Sequence, residues 1–374
     1  MKLIFIVNVD WYFKLHWLER ACYFCSLGYE VHVATKYTDS NIKDKFERLG
    51  FYCHDIEFKR SSLNVFSELL TTFKIKSILN EVKPDIIHSI TIKPNIYAGL
   101  ARLIFFSYIP IVYSVTGLGA VYSSGRLKFR IIRSVVSCLY RIVSSHNSRF
   151  IFENSDDLLT YVNLEIIKNN GVVIKGAGID LEKFAPSSPS CERNVLFAAR
   201  LLKDKGLYEL VEAKILLKNK GINFSLNVAG IIDADVISAI PMSQILKWES
   251  QGYINWLGSV DNMPELIAKN DIVCLPTTYG EGVPRILIEA ACCQRAIITT
   301  DVAGCRDIVR HRINGLLVEP GSVRSLANSL REMLQDEDMV HKFGINGRLI
   351  VKDEYDQAIV FQRTNEVYLS LVGV

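Results

Sequence analysis

At 374 residues the chain is long enough for two domains of ordinary size. Hydrophobic residues make up 49% of it and charged residues 22%, which excludes a disordered or fibrous protein and predicts two buried cores. The net charge is +3, but residues 1–180 carry 22 Lys and Arg against 16 Asp and Glu, whereas the remainder carries 21 against 24. The excess of +6 in the first part predicts a negatively charged partner, and an anionic membrane surface or a phosphorylated lipid fits it as well as nucleic acid does.

The cysteines and the apolar runs predict where the protein works. Nine cysteines without a signal sequence predict a reducing compartment, so we expect a cytoplasmic protein. The longest apolar run, residues 103–115, is interrupted by Pro110 and is shorter than the ~20 residues that span a bilayer.

Short apolar runs alternate with helical patterns along the chain. In the first half the predicted strands are residues 2–7, 30–35, 85–89, 109–115, 149–153 and 172–175, with helical patterns such as 15–27 and 65–82 between them. After a turn-rich stretch at 176–190, strands are predicted at 194–199, 224–230, 254–258, 271–275 and 296–299. This order predicts two successive doubly wound parallel α/β domains, residues 1–180 and 181–355. If the two faced each other, the carboxyl ends of their strands would form a cleft.

The stretch after residues 271–275 is the strongest candidate for a ligand site. It reads Pro-Thr-Thr-Tyr-Gly280-Glu281-Gly282-Val283-Pro284-Arg285, with Pro284 where a first helical residue would stand. The two glycines would let the backbone approach a ligand closely. The backbone N–H groups of Val283, Arg285 and Ile286 would form an anion site at the helix N-terminus, and the simplest anion is a phosphate.

Two carboxylates, Glu281 and Glu289, accompany this anion site. Carboxylates repel a phosphate unless they point at hydroxyl groups, so a ligand with central phosphates and a polyol at each end would satisfy every group. A nucleotide sugar is such a ligand. The spacing resembles the E-x7-E signature of the retaining glycosyltransferases of family 4.

A second element supports the resemblance. Arg200-Leu-Leu-Lys-Asp-Lys205-Gly206 follows the first predicted strand of the second domain and is similar to the family's R-x4-K-G element, whose Arg and Lys contact the donor pyrophosphate. The resemblance implies that Arg200, Lys205 and Glu281 are catalytic, with Glu281 on the sugar hydroxyls and Glu289 on the ribose. Asp233 and Asp235 have the spacing of a metal-binding pair but no third ligand, so we expect neither a metal nor a cofactor.

The resemblance continues in both directions with some departures. Residues 303–307 and 314–320 match the family's closing segments, but Gln294 stands where a small residue, commonly Gly, is expected. In the first half, His16 in a predicted loop at 8–17, His88 and Thr116 are the candidates for contact with a sugar or the acceptor. His88 is equally compatible with a core histidine, and Thr116 replaces a His that many members carry.

The family resemblance implies a two-Rossmann-domain GT-B fold in which a last helix, within residues 356–374, crosses back onto the first domain. It also implies transfer of a hexose or N-acetylhexosamine from a nucleotide sugar, expected to be UDP-linked, to a hydroxyl of a polyprenyl-diphosphate-linked precursor of a bacterial surface glycan such as O-antigen, forming an α-linkage. Two alternatives stay open. One is a nucleotide-sugar epimerase on the same fold, and the other is a non-catalytic nucleotide-sugar-binding protein.

Residues 126–145 hold an arginine-rich helical pattern without acids. Arg126, Arg130, Arg133 and Arg141 fall within about 80° on a helical wheel, opposite a wide apolar side. One interpretation packs the apolar side on the sheet and leaves the arginines in water. The other docks the arginines on anionic lipid headgroups, which would make the protein peripheral to the inner face of the cytoplasmic membrane.

Overall fold

The computed structural model describes residues 1–58, 65–119, 122, 127–188, 192–233 and 238–373, with residues 65–69 described only as backbone. It divides into two compact units. Unit 1 is Met1–Ala177 with Ala358–Val374, and unit 2 is Gly178–Gln357.

Unit 1 is built on a parallel sheet with the strand order β3-β2-β1-β4-β5-β6-β7. The strands are β1 (Lys2–Ile6), β2 (Glu30–Thr35), β3 (Tyr52–Asp55), β4 (Ile86–Ile90), β5 (Ile111–Val115), β6 (Ser148–Phe152) and β7 (Gly171–Val173). The helices between them are α1 (Asp10–His16), α2 (Leu18–Ser26), α3 (Ser40–Arg48), α4 (Val65–Val82), α5 (Ile92–Phe105), α6 (Leu127–Val143) and α7 (Ser155–Asn163).

Unit 2 repeats this plan with the strand order β10-β9-β8-β11-β12-β13. The strands are β8 (Asn194–Ala198), β9 (Ser225–Ala229), β10 (Asn255–Gly258), β11 (Ile272–Leu275), β12 (Ala296–Thr300) and β13 (Gly315–Val318). The helices are α8 (Leu207–Lys218), α9 (Met242–Ser250), α10 (Met263–Ala268), α11 (Arg285–Cys292), α12 (Cys305–Ile308), α13 (Val323–Gln335) and α14 (Glu337–Glu354), and a 3-10 turn at Lys203–Lys205 precedes α8.

Alternate residues of the same strands supply the two faces of the unit 1 sheet. Ile4 and Ile6 of β1 belong to one apolar cluster, whereas Leu3 and Phe5 belong to the other. The last helix, α15 (Gln357–Val372), adds Phe361 and Tyr368 to the second cluster. Both faces of a parallel sheet are therefore covered, which explains why its strands read as short, almost uninterrupted apolar runs.

The predicted class, two doubly wound parallel α/β units, is confirmed. Two local expectations were wrong or incomplete. Residues 10–16, predicted as loop, form α1, because the buried Asp10 carboxylate accepts hydrogen bonds from the Thr38 backbone N–H at 2.8 Å and the Thr38 hydroxyl at 2.7 Å. Strands β3 and β13 were not predicted, since β3 is the polar edge sequence Tyr-Cys-His-Asp.

The unusual Gln294 lies at the end of α11 in the left-handed conformation, with a φ of 59°. Its N–H donates to the Ala291 carbonyl at 3.1 Å, and the Arg295 N–H donates to the Ala290 carbonyl at 2.8 Å. These two bonds form a Schellman motif, in which the residue at the position of Gln294 is usually Gly. A residue with a side chain is strained at this φ, whereas glycine is not. This strain explains why the family commonly has glycine at the position of Gln294.

We predict that Gln294→Gly raises the free energy of unfolding by about 0.5–1 kcal/mol, because relief of the left-handed strain outweighs the extra entropy of an unfolded glycine. Chemical denaturation of the two proteins measures the difference. Gln251→Gly is the matched control, since Gln251 also ends a helix but has a φ of −83°, and there we expect no gain. Equal or lower stability of Gln294→Gly would contradict the prediction.

Candidate active site

The loops after β8 and β11 meet in unit 2 because these two strands are neighbours in the sheet. The chain winds from β8 outward to β9 and β10, and then returns to the other side of β8 at β11. The strand order therefore reverses between β8 and β11, which is where open α/β sheets leave a crevice for ligands.

The two loops are fastened to each other through their backbones. The Asp204 carbonyl accepts a hydrogen bond from the Thr278 N–H at 2.9 Å and another from the Thr277 hydroxyl at 3.2 Å. Gly206 has a φ of 83°, and a Cβ at this residue would lie 2.0 Å from the Pro276 carbonyl oxygen. A side chain at residue 206 would therefore force the loops apart.

This fastening places Lys205 against Glu281. The Lys205 ammonium donates to the Glu281 carboxylate in an ion pair whose side chains are only 9% and 17% exposed. Burial alone would lower the pKa of Lys205, but Glu281 and Tyr279 outweigh it, so that the pKa is raised above its ordinary value. The ammonium also lies 5.3 Å from the centre of the Tyr279 ring. The site thus holds a lysine ammonium that is paired with a carboxylate and has reduced access to water.

A third loop supports the glycines around Glu281. The Glu281 N–H donates to the Ala303 carbonyl at 3.2 Å. A Cβ on Gly280 would lie 3.3 Å from the Ala303 Cβ, and a Cβ on Gly304 would lie 1.6 Å from the Gly282 carbonyl oxygen. Gly280 and Gly282 were expected to let the backbone approach a ligand closely. In the structure they let the backbone approach the loop at Ala303 and Gly304.

Helix α11 follows this loop, and the structure corrects where it begins. Pro284 is the N-cap residue with extended backbone angles, so the helix begins at Arg285 and not at Pro284. Val283 thus precedes the helix and lies largely buried. Glu289 is buried and accepts from Arg285 Nε at 2.8 Å. Burial raises the pKa of Glu289, and the Arg285 guanidinium opposes that shift.

Arg200 lies two residues after β8 and forms a 3.6 Å ion pair with Asp233. The Arg200 side chain is 42% exposed and that of Asp233 is 15% exposed, so Arg200 is more accessible to water than Lys205, whereas the two carboxylates are similarly buried. Asp235 lies outside the described residues. Within the described part of the chain, no group of three or more His, Cys, Asp or Glu side chains could hold a metal ion.

The candidates in unit 1 do not form one site. Thr116 is half-buried and lines a cavity of about 340 Å³. His16 is half-buried at the end of α1, with its ring 4.5 Å from that of Tyr12. The interpretation of His88 as a sugar contact is corrected, because its side chain is fully buried and bonded to the Tyr368 and Ser114 hydroxyls. Desolvation holds the pKa of His88 well below its ordinary value, so the imidazole is a neutral core residue.

The orientation of helix α6 differs from the expectation that its whole apolar side packs on the sheet. Arg126 lies outside the described residues, Arg130 is exposed, and Arg133 is half-buried with its guanidinium donating to the Tyr122 carbonyl at 3.1 Å. Arg141 is exposed and donates twice to the Leu164 carbonyl. The helix buries Val136, Ser137, Tyr140 and Val143. Much of the side expected to pack on the sheet is therefore in water, including Leu127 and Ile131 at 70% and 59% exposure.

Sequence reasoning missed three contributors to the unit 2 site. Tyr279 was considered only as part of the motif, Asp233 only as half of a metal-binding spacing at which no metal was expected, and Ala303 only as part of a closing segment. Tyr279 could have been predicted as part of the site, because it lies two residues before Glu281. The other two depend on contacts between loops that are far apart in the sequence.

Comparisons with known proteins agree with this geometry. The family description "Glycosyl transferases group 1" matches residues 179–350, and "Glycosyl transferase 4-like" matches residues 2–154. The structure of Anabaena HepE in complex with UDP superposes with a TM-score of 0.79 at 18% identity, over 99% of this chain and 100% of that one. Two doubly wound units of this kind make up the GT-B fold.

Curated relatives extend the match over most of the chain. N,N′-diacetylbacillosaminyl-diphospho-undecaprenol α-1,3-N-acetylgalactosaminyltransferase of Campylobacter jejuni is 30% identical over 339 residues, 87% of each chain. UDP-Gal:α-D-GlcNAc-diphosphoundecaprenol α-1,3-galactosyltransferase of Escherichia coli is 22% identical over 295 residues, 74% of this chain and 73% of that one. The chain belongs to the family 4 glycosyltransferases and is an enzyme of that class.

We predict that Glu281→Gln and Lys205→Ala each lower the rate of transfer by about 10²–10³ while the protein remains folded, because the family resemblance assigns both charges to stabilisation of the transition state. Steady-state kinetics and circular dichroism measure the two effects.

Glu265→Gln and Lys269→Ala provide a matched control, because these residues form an exposed ion pair at the C-terminal end of α10 in the same unit. Both control variants should transfer at the wild-type rate. Near-wild-type turnover by Glu281→Gln would remove Glu281 from the site.

Proposed function

We propose that the enzyme transfers a hexose or N-acetylhexosamine from a UDP-sugar to a hydroxyl of a polyprenyl-diphosphate-linked precursor of a bacterial surface glycan, forming an α-linkage. The observation that carries the proposal is the buried pair of Lys205 and Glu281 at the strand-order reversal of unit 2. The relatives from Campylobacter jejuni and Escherichia coli, whose names specify diphospho-undecaprenol acceptors and α-1,3-linkages, support the acceptor class and the linkage.

The arrangement suits departure of a nucleoside diphosphate. Lys205 and Arg200 supply two cations for the diphosphate, and the N-terminus of α11 adds backbone N–H groups. An ammonium has three N–H donors, so Lys205 can keep its bond to Glu281 and still donate to a phosphate oxygen. Fixed charges of this kind stabilise a leaving group without reorganisation during the reaction. Glu281 is then placed beside the transferred sugar, and Glu289 is assigned to the ribose.

The proposal is tested with purified protein, a panel of nucleotide sugars and synthetic polyprenyl-diphosphate-linked acceptors. We expect an α-linked product from a UDP-sugar, with its anomeric configuration read by NMR. Interconversion of the donor without any acceptor would identify an epimerase, and binding without turnover would identify a regulatory protein.

We expect transfer to persist in EDTA, because Arg200, Lys205 and the N-terminus of α11 already meet the diphosphate. A strict requirement for Mg²⁺ or Mn²⁺ would contradict this expectation and would make Asp233 and Asp235 the first candidates for metal ligands.

We further propose that α6 attaches unit 1 to the anionic inner leaflet, in a different way from the arginine contact expected from sequence. Its exposed side carries an apolar stripe, which consists of Leu127, Ile131, Val135, Cys138 and Ile142. At 100° per residue the stripe spans about 80°, with Arg130 and Arg141 along one edge and Lys128 along the other. An apolar stripe between basic edges is typical of a helix that lies in the plane of a membrane surface.

The residues near α6 fit the same surface. Ile104 and Tyr108, at and after the end of α5, are 64% and 75% exposed, and α5 packs against α6. The described part of the chain has no helix long and apolar enough to cross a bilayer. The proposed attachment therefore combines partial insertion of the stripe with attraction of the basic edges, each basic residue contributing ~1 kcal/mol.

We predict that the protein floats with anionic liposomes at low salt and that Arg130→Gln with Arg141→Gln lowers this binding by about tenfold or more. Ile131→Ser with Val135→Ser should lower it at every salt concentration, because the stripe no longer inserts. The matched control is Met242→Ser with Leu246→Ser, an exposed apolar pair with the same four-residue spacing on α9 of unit 2. Wild-type flotation by the stripe variant, or no flotation by the wild-type protein, would exclude α6 as the membrane surface.

A further inference from the structure

Helix α11 carries an ion pair whose order along the helix is unfavourable. Arg285 is the first residue of the helix, and its Nε donates to Glu289 Oε1 at 2.8 Å, one turn further on. The N-terminus is the positive end of the helix dipole, so a cation in the first turn is disfavoured. The order of a cation before an acid is also the less favourable one for a pair four residues apart. Helix stability therefore gives no reason for this pair.

Burial adds to the cost of the pair. The side chains of Arg285 and Glu289 are 22% and 7% exposed. A carboxylate with so little access to water persists as an anion only when a cation or several donors accompany it. Burial raises the pKa of Glu289, and Arg285 is the largest influence that lowers it again. Arg285 thus keeps Glu289 available as a charged acceptor.

Few other groups compete for the Glu289 carboxylate. Lys183, exposed in the segment before β8, is the second cation near it. Helix α14 packs against α11 and contributes Arg348, but this guanidinium donates to backbone carbonyls instead. Burial raises the pKa of Cys293 on α11 to about 12, so its thiol is neutral. Within the described residues, the bond from Arg285 is the only hydrogen bond to the Glu289 carboxylate.

The remaining capacity of the carboxylate matches two neighbouring hydroxyls. An ionised carboxylate has about four lone-pair sites on its two oxygens. Arg285 uses one site on Oε1, which leaves further sites on both oxygens for a ligand. The 2′ and 3′ hydroxyls of a ribose are adjacent donors, and a carboxylate that a guanidinium holds in one orientation can accept from both. A 2′-deoxyribose offers only one of these donors.

We infer that Arg285 is a positioning residue, which orients the Glu289 carboxylate so that both ribose hydroxyls of the donor donate to it and the enzyme selects ribonucleotide over 2′-deoxyribonucleotide donors. The inference rests on the proposed reaction, in which Glu289 is assigned to the ribose. Arg285 acts through Glu289 and not on the diphosphate, to which Lys205 and Arg200 are assigned. A direct contact of Arg285 with a phosphate would affect both kinds of nucleotide equally, because both contain the phosphates.

The test compares nucleotides that differ only in the 2′ hydroxyl. Equilibrium binding is measured for UDP and 2′-deoxy-UDP, and likewise for ADP and GDP with their 2′-deoxy forms, so that the ribose is tested independently of the base. The wild-type protein should bind its preferred ribonucleotide at least about tenfold more tightly than the deoxy form. In Arg285→Gln we expect this ribonucleotide to bind about tenfold more weakly, and the preference over the deoxy form to fall to about twofold or less.

Two further variants show whether Arg285 acts through Glu289. Arg285→Lys keeps a cation beside the carboxylate and should recover part of the lost affinity. Arg285→Gln combined with Glu289→Gln should bind the ribonucleotide no more weakly than Glu289→Gln alone, because both changes remove the same contact. This double variant leaves no buried charge unpaired, so it decides the question even if Arg285→Gln alone unfolds. Arg324→Gln, at an exposed arginine in the first turn of α13, is the matched control and should change no affinity.

The pH dependence of binding gives a readout that a purely structural role would not change. Without the Arg285 cation, burial raises the pKa of Glu289 further, and a protonated carboxyl is a weaker acceptor. As the solution is acidified, the ribonucleotide affinity of Arg285→Gln should therefore fall at a higher pH than that of the wild type. Glu289→Gln should not show this fall.

The outcomes separate this inference from the proposed reaction. Equal weakening of the ribonucleotide and its deoxy form by Arg285→Gln, or a double variant weaker than Glu289→Gln, would place Arg285 on the phosphates and overturn the inference while transfer persists. Unchanged affinities in Arg285→Gln, or a wild-type protein indifferent to the 2′ hydroxyl, would overturn it as well. A wild-type preference for ADP or GDP would overturn the UDP donor but not the inference. Failure of the wild type to bind any of these nucleotides would overturn both.

Discussion

The pairing of Lys205 with Glu281 is the constraint on which the unit 2 site depends. Lys205 and Glu281 are 76 residues apart in the sequence, so their two loops must meet before the ammonium and the carboxylate can pair at a site with little access to water. The meeting is secured by backbone: Asp204 accepts from Thr278, and Gly206 has no side chain to hold the loops apart. Removing water strengthens the attraction between the two charges but also makes either charge costly without its partner. The fold therefore supplies one charged contact held between two loops, and in the proposed reaction a diphosphate and a sugar would be positioned around it.

Much of the fold could be predicted from the sequence, because the strands of a parallel sheet are buried on both faces and so appear as apolar runs. The prediction failed where that cause was missing. The edge strand β3 has polar and half-exposed residues, and α1 is fixed by the contact of Asp10 with Thr38, which no local pattern reveals. For the site, the motif positions of Lys205 and Glu281 could be predicted from a resemblance, but their direct contact could not.

The burial of His88 and the buried side of α6 could not be predicted from the sequence for the same physical reason. Contacts between residues that are distant in the sequence decide which side chains are buried. His88 could have faced a ligand or the core, and Tyr368, 280 residues later, covers it and accepts or donates at one of its ring nitrogens. The wheel of α6 shows how its arginines cluster, but the side that is buried depends on Tyr140 and Val143 finding places in the unit 1 core. Arg133 donates to the Tyr122 carbonyl and Arg141 to the Leu164 carbonyl. The sequence pattern predicted that only the arginine side of the helix would be in water, but part of its apolar side is exposed as well.

The two cations of unit 2 are held so differently that they suit different tasks. The Arg200 side chain is 42% exposed, and its guanidinium lies 3.6 Å from the Asp233 carboxylate, whose side chain is 15% exposed. The longer distance and the access of Arg200 to water weaken this attraction, so in the proposed reaction Arg200 would leave Asp233 for a phosphate more easily than Lys205 would leave Glu281. Lys205 is 9% exposed and would leave Glu281 as a poorly solvated charge if it moved away. In the proposed reaction, Lys205 would accordingly be the fixed reference for the diphosphate, whereas Arg200 would follow the charge that develops on the leaving group.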